Sequence, residues 1–168
     1  MKLMINDANI LIDLLKIDLL SLFFQLPFEF HIADMVLAEV QEENTDELIK
    51  FVTNDQLLVN SATFKELLMI NEFKTNNGNL SIPDCSCLYL AQKLSATLLT
   101  GDGALRKTAI AMEVDVHGIL WILDELLIEK KLSPTMAIKK LKLLTKNNKR
   151  LPAAEIDKRL KEWLNMVK

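Results

Sequence analysis

Five short apolar runs, at residues 2–6, 28–33, 57–60, 97–100 and 114–117, alternate along the chain with segments whose apolar residues recur at helical spacing. Short, continuous apolar runs are the pattern of strands buried on both faces, as in parallel sheets. Strands that alternate with helices pair in parallel through right-handed crossovers. The expected fold is therefore α/β: a three-layer α/β/α sandwich around a central, mainly parallel sheet.

Helical patterns fill the gaps. Residues 8–16 carry Ile10, Leu11, Leu14 and Leu15 on one face, and further helices are expected at 34–43, 45–54, 62–76, 83–94, 104–112 and 118–130. Thr45 is a candidate N-cap, Pro83 suits a first helical turn, and Asn76-Asn77-Gly78-Asn79 reads as a loop. From Ser133 onward the patterns are helical only. Ser133 and Pro134 form an N-cap and N1 pair for a helix at 135–145, and Pro152 opens another that runs to Val167. Its stripe Leu160, Trp163, Leu164 and Val167 is expected to dock on the domain. The expected organisation is a domain at 1–131 with a helical extension at 132–168 packed on it.

Half of the 168 residues are hydrophobic and no Pro/Gly/Ser-rich linker divides them, which is enough for one full core. No apolar run approaches the roughly 20 residues that span a bilayer, and Asn6 and Asp7 stand where a signal peptide would stay apolar, so no membrane association and a cytoplasmic location are expected. A net charge of −3 argues against coating nucleic acid by bulk electrostatics. The exception is local: Lys139, Lys140, Lys142, Lys146, Lys149 and Arg150 follow one another without an acid between. Cys85 and Cys87, two apart on a helix, do not face each other and read as buried thiols, not as a disulfide or zinc site.

Four acids stand out by position. Asp7 follows the first apolar run, Glu39 lies one turn into the helix after the second, Asp84 opens the helix after Pro83, and Asp102 follows the fourth run. In an open α/β sheet, the carboxyl ends of strands and the helix starts behind them face one crevice. Carboxylates gathered there repel one another unless a cation neutralises them, which points to a divalent metal site.

The segments Ile5-Asn6-Asp7-Ala8-Asn9-Ile10-Leu11, Val36-Leu37-Ala38-Glu39-Val40, Ile82-Pro83-Asp84 and Leu98-Leu99-Thr100-Gly101-Asp102, with Leu105-Arg106 behind, resemble in order and spacing the motifs of the PIN-domain nucleases, including the toxins of bacterial toxin–antitoxin pairs. The resemblance covers about residues 1–130. Beyond it, residues 117–123 and 148–152 are similar to a bacterial PIN subgroup with a helical C-terminal extension. It implies that Asp7, Glu39, Asp84 and Asp102 are catalytic and hold Mg²⁺ or Mn²⁺, hard cations that suit phosphodiester hydrolysis. Asn9 and Thr100 match positions that support such a site through hydrogen bonds, and Arg106 matches one that reaches a scissile phosphate. Lys142, Lys146 and Lys149 are candidates for contact with flanking phosphates. Gly103 and Ala104 stand where some members carry a further acid; of the spare acids, Asp34 is expected to cap a helix and Asp13 to sit on a polar helix face or pair with Lys16.

The implied activity is metal-dependent endoribonuclease, plausibly as the toxin of a type II pair. Its implied partners are an RNA substrate, an antitoxin protein and a second copy of the chain. Two readings compete: a catalytically weak RNA-binding or regulatory module, and a structure-specific DNA nuclease. Other chemistries lack their residues. Gly101-x-Gly103 is neither a dinucleotide nor a Walker fingerprint, Asn9 replaces the second Asp of a haloacid-dehalogenase phosphatase, and no Ser or Cys has a nucleophile's context.

Overall fold

The computed structural model describes residues 1–42 and 46–167. By compactness the chain divides into two units, Met1–Leu11 with Pro27–Gly118, and Ile12–Leu26 with Ile119–Lys168. The first unit holds strands β1 (Lys2–Asn6), β2 (Phe28–Ala33), β3 (Leu58–Asn60), β4 (Thr97–Leu99) and β5 (Val116–His117). They form one all-parallel sheet in the order β3-β2-β1-β4-β5, as the alternating pattern predicts. β1 is central, with Ile5 opposite His31 on one side and Leu98 on the other. Met4, Ile5, Leu98 and Leu99 are completely buried, as strands covered on both faces must be.

Helix α1 (Ala8–Lys16) follows β1 and buries Ile10, Leu11 and Leu14, the face its spacing predicts. Helices α3 (Asp34–Glu42) and α4 (Asp46–Thr53) follow β2, α5 (Phe64–Asn76) and α6 (Ile82–Leu94) link β3 to β4, and α7 (Gly103–Ala111) links β4 to β5. Right-handed crossovers that run toward β3 and then back toward β5 place helices on both faces, giving the α/β/α sandwich. Glu43 and the expected cap Thr45 lie outside the described residues.

The second unit contains α2 (Leu20–Phe23), α8 (Ile119–Ile128), α9 (Pro134–Asn147) and α10 (Ala153–Met166). The four residues of α2 are too few to show a helical period, and the sequence carried no sign of it. Ser133 caps α9 as expected, accepting a hydrogen bond from Met136 N. Arg159 on α10 clamps Asp124 on α8 with Nε and Nη2, at 2.9 and 2.7 Å to Oδ2. The apolar stripe of α10 needs correction: Trp163 is buried, but Leu164 and Val167 are 53 % and 51 % exposed, so only half of the stripe docks. Asp13, expected to pair with Lys16, accepts a hydrogen bond from Asn148 Nδ2 at 2.8 Å as well as feeling the Lys16 charge.

Among the described residues, the five with positive φ, Asp18, Asp55, Ser95, Glu113 and Lys130, sit at helix C-termini, and none is glycine. After α7, Val114 N–H reaches back to Ala109 O and Glu113 N–H to Ile110 O, the paired bonds of a Schellman turn. That turn commits Val114 to the helix end, and β5 starts at Val116 instead of 114. The same turn after α4 takes Gln56 N–H to Phe51 O and Asp55 N–H to Val52 O, and Leu57 N–H reaches the same Phe51 oxygen, so β3 starts at Leu58. Glu113 places both a β-carbon in the left-handed region and an acid at a helix C-terminus, each unfavourable. Glu113→Gly is therefore expected to raise stability by about 1 kcal/mol, read from the midpoint of urea unfolding.

Candidate active site

Order along the sheet reverses at β1, and the crevice at the carboxyl ends of the strands beside such a reversal is where open α/β sheets bind ligands. The segments after β1 and β4 meet there. Asp7, the residue after β1, is only 5 % exposed. Its Oδ1 accepts from Ala8 N at 2.8 Å, and its Oδ2 accepts from Thr100 Oγ1 and from Asn9 Nδ2, both at 2.6 Å. Burial pushes the Asp7 carboxyl up to about 6; the Thr100 hydroxyl opposes this, and the charges of Asp84 and Glu39 add to it.

Asp84 is placed by a local rule. Ser81-Ile82-Pro83-Asp84 is a capping box: Ser81 Oγ accepts from Asp84 N at 3.1 Å and Asp84 Oδ2 accepts from Ser81 N at 2.7 Å. Proline in the first turn fixes the entry of α6, whose N-terminus carries Asp84 to the crevice. Glu39, an exposed residue of α3, is near enough for its charge to act on Asp7 and on Cys87. Asp34 opens α3, with Oδ1 accepting from Met35 N at 2.8 Å.

Asp102 is the N-cap of α7, its Oδ1 accepting from Leu105 N at 2.8 Å. It is joined to Asp7 through one hydroxyl. Thr100 Oγ1 donates to Asp7 Oδ2 while accepting from Asp102 N at 3.0 Å. Asn9 closes the arrangement, since its Oδ1 accepts from Gly101 N at 2.8 Å. A β-carbon on Gly101 would lie 3.2 Å from that oxygen, so glycine permits the close approach. Arg106 Nη2 donates to Thr100 O at 3.1 Å, and a β-carbon on Gly118 would meet the same nitrogen at 2.9 Å. The guanidinium thus braces the loop after β4.

Thus Asp7, Glu39 and Asp84 are electrostatic neighbours, and Asp102, Asn9, Thr100 and Arg106 are tied to the same loop cluster. Lys142, Lys146 and Lys149 belong to the second unit. Two further residues beside these acids were not among the candidate site residues. Cys87 is fully buried, and its thiol is held well above its ordinary pKa by burial and then by Asp7, Asp84 and Glu39. Asn6, also fully buried, donates to His31 O, while its Oδ1 is the one buried side-chain polar atom without a partner among the described residues. An Asn just before the acid at a strand end was the available hint.

Among the described residues, no three His, Cys, Asp or Glu side chains converge closely enough to form a ready cation cage, because Asp7, Asp84 and Asp102 are each drawn onto nearby backbone N–H groups. The chemistry of the donors nevertheless fits a hard divalent cation. They are carboxylate oxygens, the charges of Asp84 and Glu39 raise the proton affinity of Asp7, and no thiolate competes. No helix among the described residues is long and apolar enough to cross a membrane.

No curated protein matches the chain. A family model described as a PIN domain matches residues 3–165 and so runs past residue 130, where the motif resemblance ends, through the helical C-terminal stretch. With a five-stranded parallel sheet, an acid after its central strand and that match over nearly the whole length, the chain belongs to the PIN-domain family.

Proposed function

We propose that this PIN domain is a Mg²⁺- or Mn²⁺-dependent nuclease that hydrolyses RNA, with Asp7, Glu39, Asp84 and Asp102 as its catalytic carboxylates. One observation carries the reading: a nearly buried Asp7 at the sheet's reversal point, lifted to about 6 by burial and by two further acids. A purely structural acid gains nothing from such neighbours, whereas a cation-binding acid does. Asp7, Glu39 and Asp84 would hold the cation, and Asp102 would face it from the start of α7. When bound, a divalent cation supplies an acidified water and offsets the phosphate charge.

The chain's own residues do the rest. Thr100 and Asn9 both donate to Asp7 Oδ2, which fixes the carboxylate and favours its ionised form. Thr100 also holds the Asp102 backbone, so the two acids move together. Arg106, bracing Thr100 O, keeps a positive charge beside the crevice for an incoming phosphate. Membership of the toxin branch, with an antitoxin covering the crevice, is the narrower form of this proposal.

The test is cleavage of mixed single-stranded RNA by the purified full chain. Cleavage is expected with Mn²⁺ or Mg²⁺, none in excess chelator, and much less on single-stranded DNA. The carboxylates drawn onto backbone N–H groups favour a second reading, a PIN module that binds RNA without cutting it. Metal-independent binding with no cleavage at any metal concentration selects that one.

A further inference from the structure

In the second unit, a groove of about 570 Å³ runs between the turn after α1 and one face of α9. Its floor is aliphatic, formed by Leu19, Leu22, Leu132 and Leu143. Its rim is basic, since Lys139, Lys142 and Lys146 stand at i, i+3 and i+7 along α9 and are all exposed. The single acid in the lining, Asp18, is answered by Lys140, whose Nζ lies 3.8 Å from Asp18 Oδ2 and donates to Ile17 O at 2.6 Å. Among the described residues the other three lysines have no carboxylate partner.

Met136 and Leu143, 40 % and 39 % exposed, add apolar surface two turns apart on the same helix face. From 136 to 146 that face is about 15 Å long, room for about three turns of a second helix laid alongside. We propose that this groove docks an acidic amphipathic helix of a partner protein, its aliphatic stripe on the leucine floor and its carboxylates against the lysine rim. Helix-in-groove recognition needs that combination of apolar floor and complementary charged edge. Single-stranded RNA needs something else: aromatic rings or arginine planes on which bases stack, and the lining has neither. An all-leucine floor would leave the phosphates of RNA nothing to gain.

The probe is a synthetic helical peptide with Leu at i, i+3, i+4 and i+7 and Glu at the remaining positions, titrated into the full chain by fluorescence anisotropy. Saturable binding that weakens with salt is expected, and the same peptide with Lys in place of Glu should not bind. Lys139→Glu/Lys142→Glu/Lys146→Glu should weaken the acidic peptide at least about tenfold. Leu143→Asn should weaken it too; both variants alter exposed side chains, and an unchanged melting temperature identifies a folded protein. Shifts of the Leu19 and Leu22 methyl resonances locate the peptide. Equal affinity for both peptides, no binding of the acidic one, or an unaltered affinity in the folded triple variant overturns the proposal. Tight binding of an oligo-U strand lost in the triple variant, without peptide binding, makes the lysine rim an RNA contact instead.

Discussion

On the proposed function, Asp7→Asn and Asp84→Asn are each expected to lower metal-dependent RNA cleavage on the order of 10³-fold, because removing a cation-binding charge would forfeit several kcal/mol of transition-state stabilisation. The backbone around each position is expected to hold. An asparagine oxygen can still accept from Ala8 N at position 7 and from Ser81 N at position 84, the bonds that set the starts of α1 and α6. Activity should return partly at high Mn²⁺, since binding is weakened more than chemistry. Wild-type rates in both variants, measured in the same metal and with unchanged circular dichroism, would falsify the site assignment.

The second large effect appears without metal. In chelator, Asp7 ionises near 6 in the folded chain against 3.8 for an ordinary Asp, so between those values the folded state binds more protons than the unfolded one. Stability contributed at this position is therefore full below about pH 4 and is lost as pH rises through about 6. The loss corresponds to about 3 kcal/mol. Asp7→Asn removes this dependence but turns an amide NH₂ toward two donors, Thr100 Oγ1 and Asn9 Nδ2, costing about 1 kcal/mol for each. The variant should thus be about 1 kcal/mol more stable than wild type at pH 7.5 and about 2 kcal/mol less stable at pH 4, with crossing curves. Urea unfolding across pH 4–8 in chelator reads this directly; parallel curves would mean that Asp7 titrates normally. Saturating Mn²⁺ at pH 7.5 should reverse the order, because binding at a hundred times Kd adds about 2.7 kcal/mol to wild type alone.

Much of this architecture was legible because burial on both faces leaves a plain mark. β1 and β2 are each followed by an aspartate and end where their runs end, at Asn6 and Ala33. Later boundaries slipped by one or two residues at helix C-termini, where the usual glycine signal is missing: Asp55, Glu113 and Lys130 take the left-handed position themselves. At the site, the acids were visible through their placement at strand ends and helix starts. Their repulsion followed from that placement, but the burial that dominates at Asp7 did not, nor did the closeness of the Cys87 thiol to the acids, since that closeness depends on α6 crossing β1, a contact between residues some 80 apart in the chain. The same limit explains α10: periodicity identifies an apolar stripe but not how much of it finds a neighbour, and Leu164 and Val167 found none that buries them.

Central placement of β1 also fixes an order of events in folding. Its partner on one side, β2, arrives soon after it in the chain, but Met4 pairs on the other side with Thr97, about 90 residues later. Until that strand emerges during synthesis, β1 is an edge with open hydrogen-bonding groups, and Asp7 lacks the Thr100 hydroxyl that fixes it. Closing so long a loop is entropically costly and slow, so the crevice waits on the longest-range pairing of the sheet. A nascent or partly folded chain thus carries the acids without the arrangement that could use them. On the proposed function, competence for metal arrives with completion of the fold.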